Sequence, residues 1–99
     1  MEIKFPKKDV PINKLIEVSR APKIIVVFDG KQYFAFSGIC PHAKWPLDMG
    51  RISNHTLICG GHGWEFDVSS GKCTSNPGRD LNQYKIIEEK YDIIITEFD

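Results

Sequence analysis

The chain has no excess of either charge, no long apolar run and little sulfur, and each shortage removes a class of function. Its 13 Lys and Arg are balanced by 13 Asp and Glu, a formal net charge of zero. Proteins of nucleic acid or membrane surfaces normally carry a basic excess, so no nucleic acid and no membrane is expected among the partners. The longest apolar stretches, inside Lys23–Phe28 and at residues 93–95, are too short to span a bilayer. No N-terminal signal pattern is present, because residues 1–6 are mixed in character and charged from the start. A cytoplasmic protein is the resulting expectation. Three cysteines, an odd number without a secretory segment, argue against a disulfide framework and for metal or redox use. At 99 residues the chain is expected to be a single domain, 1–99, whose own core supplies only thin stability.

Also missing is any long stretch with apolar residues at helical spacing, and strand signals dominate instead. Lys23–Phe28 is rich in β-branched residues. Asp29-Gly30 then suits a two-residue type I′ hairpin turn into a strand over 32–36. Arg51–Ser53 and Thr56–Ile58 can pair around Asn54-His55, with His55 read as a solvated turn residue. Residues 65–68 form another strand before a turn at 69–72, and Gln83–Glu88 and 91–96 make a last pair joined at Glu89-Lys90. Residues 12–18 fit either a helical turn or a strand. Short strands at such close intervals indicate an antiparallel sandwich or barrel. Three stretches rich in Gly, Pro and Asn interrupt the pattern, at 39–50, 60–64 and 74–80. Loops held on a rigid sheet are where binding chemistry usually sits.

The first two of these stretches hold the chemistry. Cys40-Pro41-His42 is followed, after sixteen residues, by Cys59-Gly60-Gly61-His62. Each short motif can bring a thiolate and an imidazole to one point, which is a metal-ligand arrangement. The C-x-H spacing is tighter than zinc-finger spacings, although a structural zinc-binding module built from these four residues stays open. A two-iron cluster of mixed ligation suits the spacing better, with two thiolates on one iron and two imidazoles on the other. Cys73, the third cysteine, reads as a small buried apolar residue.

This C-x-H…C-x-x-H pattern on a β-rich chain resembles the Rieske family, and its surroundings agree. Leu47 and Gly50 resemble the remainder of that family's first cluster loop. His62-Gly63-Trp64, Phe66-Asp67 and Gly71 resemble its second loop and the strand that follows, and residues 81–84 with the final strand pair resemble its usual ending. The likeness runs from about residue 23 to about residue 95. It implies an all-β fold, an antiparallel β-sandwich with a small cluster-binding subdomain. The cluster-binding loops would lie at about 39–50 and 59–66, and a Pro loop at about 74–80 would cover the cluster.

The resemblance also implies one [2Fe–2S] cluster per chain, with Cys40 and Cys59 on an inner ferric iron and His42 and His62 on an outer, redox-active one. Two neutral imidazoles in place of two thiolates make reduction easier and raise the potential into a range of roughly −150 to +300 mV. High-potential members carry an extra Cys in each loop, joined by a disulfide, and hydroxyls after the second His. The matching positions here are Trp45 and Gly61, then Trp64 and Phe66, which supply neither. A potential near the low end is therefore expected. The implied function is electron transfer rather than enzymatic catalysis. A low-potential ferredoxin would carry single electrons from an NAD(P)H-dependent flavoprotein reductase to a terminal oxygenase. The mononuclear-iron domain of the oxygenases and the membrane anchor of the respiratory subunits are not expected in this chain. A small Rieske-like subunit of an assimilatory nitrite reductase is the alternative. Gly50, Gly60, Gly61 and Gly63 are expected to let backbone amides approach the sulfides. The uncharged rim of Pro41, Ala43, Trp45, Pro46, Gly63 and Trp64 is expected to dock redox partners, unless the tryptophans are core residues.

Overall fold

The computed structural model describes residues 1–41, 44–61 and 63–98. Its strands are β1 (Glu2–Pro6), β2 (Ile16–Arg20), β3 (Lys23–Phe28), β4 (Tyr33–Ser37), β5 (Arg51–Ser53), β6 (Thr56–Ile58), β7 (Glu65–Asp67), β8 (Gln83–Glu88) and β9 (Asp92–Thr96). Six of them hydrogen-bond in the order β1-β9-β8-β4-β3-β2, and β5-β6-β7 form a separate small sheet. Every strand pair is antiparallel. The edge strands β1 and β2 approach each other, so the larger sheet curls around its own core. The result is the expected antiparallel β-sandwich, with β5-β6-β7 as a small second subdomain.

β3 explains how two cores arise from so short a chain. Its four central residues, Ile24 to Val27, are all fully buried, and alternate residues of a strand point to opposite faces. Ile24 and Val26 join Val10, Ala35, Ile93 and Ile95 inside the curled sheet. Ile25 and Val27 face the other way and pack with Phe36, Leu47, Leu57, Phe66 and Val68, beneath the small sheet. One apolar strand thus serves both layers, and the loops between β4 and β7 are carried on its outer face.

Several local expectations change. The β3–β4 connection is not a two-residue type I′ turn, because Phe28 pairs with Tyr33 and leaves four residues between the strands. The Asp29 carboxylate accepts the N–H groups of Lys31 and Gln32, each at 2.8 Å, and so stabilises a wider turn. The two-residue turn with both residues at positive φ occurs instead at Asn54 (48°) and His55 (66°). Residues 12–18 resolve into a lone bridge from Ile12 to Phe28 and the start of β2. β1 was not foreseen from the sequence, although Glu2-Ile3-Lys4-Phe5 alternates as an edge strand should, and Ile3 and Phe5 do pack on the inner core.

Candidate metal centre

Two hairpin loops of one design carry the cysteines. After β4, the Leu47 N–H donates to the Gly38 carbonyl at 2.8 Å, and Ile39 bridges Pro46. Inside that frame the Cys40 N–H donates to the Trp45 carbonyl at 2.8 Å, and the Lys44 N–H returns to the Cys40 carbonyl at 2.9 Å. Between β6 and β7, Ile58 pairs with Glu65. There the Cys59 N–H donates to the Trp64 carbonyl at 2.8 Å, and the Gly63 N–H returns to the Cys59 carbonyl at 3.1 Å. Each loop begins with Cys, ends with Trp, and has a left-handed residue before the Trp, Lys44 at φ 52° and Gly63 at φ 74°. The backbone of each cysteine is bonded on both sides, which fixes where its side chain starts.

Cys40 and Cys59 are buried in the same apolar cluster, beside Leu47, Leu57 and Phe66, and no disulfide joins them. A buried thiolate needs a cation to neutralise it, so a pair of unbridged cysteines in an apolar site suits a metal. Among the described residues no group of three His, Cys, Asp or Glu side chains gathers at one point. His42 and His62 lie outside the described residues. In sequence they fall two and three residues after the cysteines, so the donor set fits a cluster ligated by two thiolates and two imidazoles.

The matching family is that of the Rieske [2Fe-2S] domain, over residues 3–85. The chain belongs to this family. Its cofactor is therefore one [2Fe–2S] cluster. The methanesulfonate monooxygenase ferredoxin subunit of Methylosulfonomonas methylovora is 32% identical over 68% of this chain and 55% of its own length. Apoptosis-inducing factor 3 of Mus musculus is 31% identical over 89% of this chain and 15% of its own. The ferredoxin of carbazole 1,9a-dioxygenase from Nocardioides aromaticivorans has the same fold, with a TM-score of 0.89 at 21% identity over 99% of each chain. The chain spans 9% to 55% of the length of eight curated relatives that it matches.

As a Rieske domain, the chain places its other predicted site residues as follows. Only Gly63 of the four loop glycines needs positive φ. Gly50 and Gly60 are required by crowding instead, since a Cβ on Gly50 would collide with the Ile58 carbonyl and one on Gly60 would stand 2.8 Å from the Met49 carbonyl. The two tryptophans differ: Trp64 is half-buried against the core under the loops, whereas Trp45 is exposed. Phe66 is fully buried, and like Trp64 it brings no hydroxyl to the site. Cys73 is buried and unbridged, as expected. The loop at 74–80 is tied to the start of β7, where the Glu65 N–H donates to Ser75 Oγ at 3.1 Å and the Thr74 N–H to the Glu65 carbonyl at 2.8 Å. That attachment puts it next to the loop that runs from Cys59 to Trp64.

Two polar contacts near the loops have little trace in the sequence. His55 is not simply solvated: its Nε2 lies 3.1 Å from Asp29 Oδ2 and its Nδ1 3.8 Å from Asp67 Oδ1. It thereby links the small sheet to the β3–β4 turn. Donated backbone N–H groups, Gln32 first and then Lys31, hold the Asp29 carboxyl below its ordinary pKa. The Ser70 hydroxyl does the same for Asp67. Lys23 Nζ sits 2.9 Å from Glu17 Oε1 and 3.1 Å from Asp48 Oδ1, fastening β2 and β3 to the turn after the first loop. The hydrogen bond to Glu17 is the main cause of its raised pKa.

Proposed function

We propose that this chain is a single-electron carrier, not an enzyme, and that Cys40, His42, Cys59 and His62 hold its cluster. The observation that carries the reading is the pair of buried, unbridged cysteines, each heading one of two loops with the same hydrogen-bonded frame. The cluster, when bound, supplies a one-electron acceptor and donor. Cys40 and Cys59 would hold one iron through their thiolates, and the buried Leu47, Leu57 and Phe66 packed with them exclude water from those sulfurs. His42 and His62 would hold the second, redox-active iron. Residues 1–99 act as one domain, with cluster loops at about 39–50 and 59–66 and a Pro loop at about 74–80 shielding the cluster. Because Trp64 and Phe66 offer no hydroxyl to the sulfides, the potential lies low in the family's range.

The partners in this proposal are an NAD(P)H-dependent flavoprotein reductase, which supplies the electron, and a terminal oxygenase, which receives it, both in the cytoplasm. Support comes from the ferredoxin subunit of methanesulfonate monooxygenase and the ferredoxin component of alkene monooxygenase among the relatives. A fold neighbour is a ferredoxin bound to the oxygenase of carbazole 1,9a-dioxygenase. No helix among the described residues is long and apolar enough to cross a membrane. Exposed Trp45 and Met49 give the tip apolar surface for docking.

The test is EPR of the reduced protein together with iron and acid-labile sulfide analysis. Equal iron and sulfide, with an average g value below that of an all-Cys cluster, are expected. Zinc without sulfide, or an all-Cys spectrum, overturns the ligand assignment. Co-purification with a sirohaem enzyme in place of an oxygenase system would move the partner assignment to the nitrite reductase.

A further inference from the structure

Trp45 belongs to neither buried core, yet its side chain is not free on the surface. Its indole lies against the second cluster loop. A Cβ built on Gly61 would stand 3.0, 3.1 and 3.2 Å from its Cγ, Cδ1 and Cδ2, and one on Gly60 would stand 3.5 Å from its Nε1. Three neighbouring ring atoms at nearly one distance mean that a face of the indole covers Gly61, so closely that a Cβ there would crowd the ring. The residue remains 41% exposed, so the ring also meets solvent. Trp64, in the equivalent place of the other loop, packs down on the core instead. Each loop closes through its own backbone bonds, Cys40 with Trp45 and Lys44 in the first and Cys59 with Trp64 and Gly63 in the second. Each loop is a separate hairpin tip, and such tips have low local stability.

Resting on the reading that these loops hold the cluster, we propose that Trp45 is a positioning residue that fastens the first cluster loop to the second across Gly61. The clamp keeps the two halves of the ligand set together and slows the release of iron. It is separate from any docking role, because it uses the side of the ring turned toward the protein.

The test is iron release to a chelator from the purified holoprotein, well below its unfolding temperature. Trp45→Ala is expected to release iron roughly fivefold faster, the effect of losing one aromatic contact, and Trp45→Phe to recover most of the difference. The g lines of Trp45→Ala broaden as the ligand geometry becomes heterogeneous. Its far-UV thermal transition stays unchanged, because the residue lies outside both cores. Met49→Ala, which removes exposed apolar surface from the same tip, leaves the rate unchanged; an equal acceleration there would assign the effect to lost cover and overturn the clamp.

A second variant tests the geometry. Trp45 Cγ is 3.0 Å from a Gly61 Cβ, so Cβ atoms at the two positions are at most about 4.5 Å apart, within disulfide reach. Trp45→Cys with Gly61→Cys, oxidised by oxidised glutathione as acceptor of the two electrons and two protons, should cross-link and restore slow release. Failure to cross-link, or a cross-link that leaves release fast, overturns the proposal. A wild-type protein lacking acid-labile sulfide overturns the cluster reading itself. An intact wild-type cluster with an unchanged rate in Trp45→Ala overturns the clamp alone.

Discussion

Replacing Leu47 by alanine tests whether the core beneath the two cysteine loops opens independently of the core inside the curled sheet. Leu47 is fully buried and packs in the cluster that contains both cysteines. Its N–H is bonded to the Gly38 carbonyl at 2.8 Å, and its carbonyl accepts the Gly50 N–H at 2.9 Å. Backbone bonds on both sides prevent the site from collapsing into the space left behind. The cost should then fall near the middle of the usual range for such a truncation, about 3 kcal/mol. A domain of this kind holds about 5–15 kcal/mol, so the variant remains folded. Ile95→Ala is the matching control. Ile95 is equally buried, but it packs with Ile24, Val26, Ala35 and Ile93 inside the larger sheet.

Both variants should lose about 1.5 M from the urea midpoint, taking a slope of roughly 2 kcal/mol per M. They should differ in iron release. If the loops open locally, Leu47→Ala raises the open population by the whole of its cost, roughly a hundredfold, while Ile95→Ala leaves it almost unchanged. The assay is iron transfer to a chelator below the unfolding transition, followed in parallel with far-UV circular dichroism. Equal acceleration in both variants would refute the argument, since iron would then be lost only through global unfolding.

Three further outcomes are expected. The Asp29 carboxyl has a lowered pKa, so its contribution is present above the unfolded value of about 3.9 and is lost as pH falls through the folded one. Asp29→Asn should accordingly reduce stability at neutral pH and flatten its decline in acid, and urea midpoints measured across pH check this. Lys23→Met leaves the Asp48 carboxylate without its cation and should cost about 1–2 kcal/mol at neutral pH. Because the Lys23 pKa is raised, the wild-type advantage holds below about pH 10.4 and fades as pH rises through the folded value, which melting curves of both proteins can follow. A dye-coupled redox titration should give a midpoint below about +100 mV; a clearly higher value contradicts the effect assigned to Trp64 and Phe66.

Much of the fold was legible because its strongest elements use strong local signals. Four consecutive branched aliphatics in β3 announce a strand buried on both faces, and the bounds Lys23–Phe28 agree with the structure. Arg51–Ser53, Thr56–Ile58 and Gln83–Glu88 also agree. Turn chemistry was less legible. Asp29-Gly30 carries the usual type I′ signal, but a carboxylate can bond the next two free N–H groups and widen the turn, as it does here. Asn54-His55 looks the weaker turn and is the tighter one. His55 adopts φ 66°, and its ring is held between Asp29 and Asp67, contacts that come from tertiary packing and leave no local mark.

The family was legible in the Cys40-x-His42 and Cys59-x-x-His62 spacing, whereas the shared frame of the two loops was not. Both loops run Cys-x-x-x-x-Trp, from Cys40 to Trp45 and from Cys59 to Trp64, a repeat that is visible once the hydrogen bonds point to it. Its left-handed position is filled by Gly63 in one loop and by Lys44 in the other, and a lysine there gives no signal because it seldom adopts that conformation. Among the described residues, the frame's bonds join the first, fifth and sixth residues of each loop, so the two loops share a backbone design although C-x-H lies in one and C-x-x-H in the other.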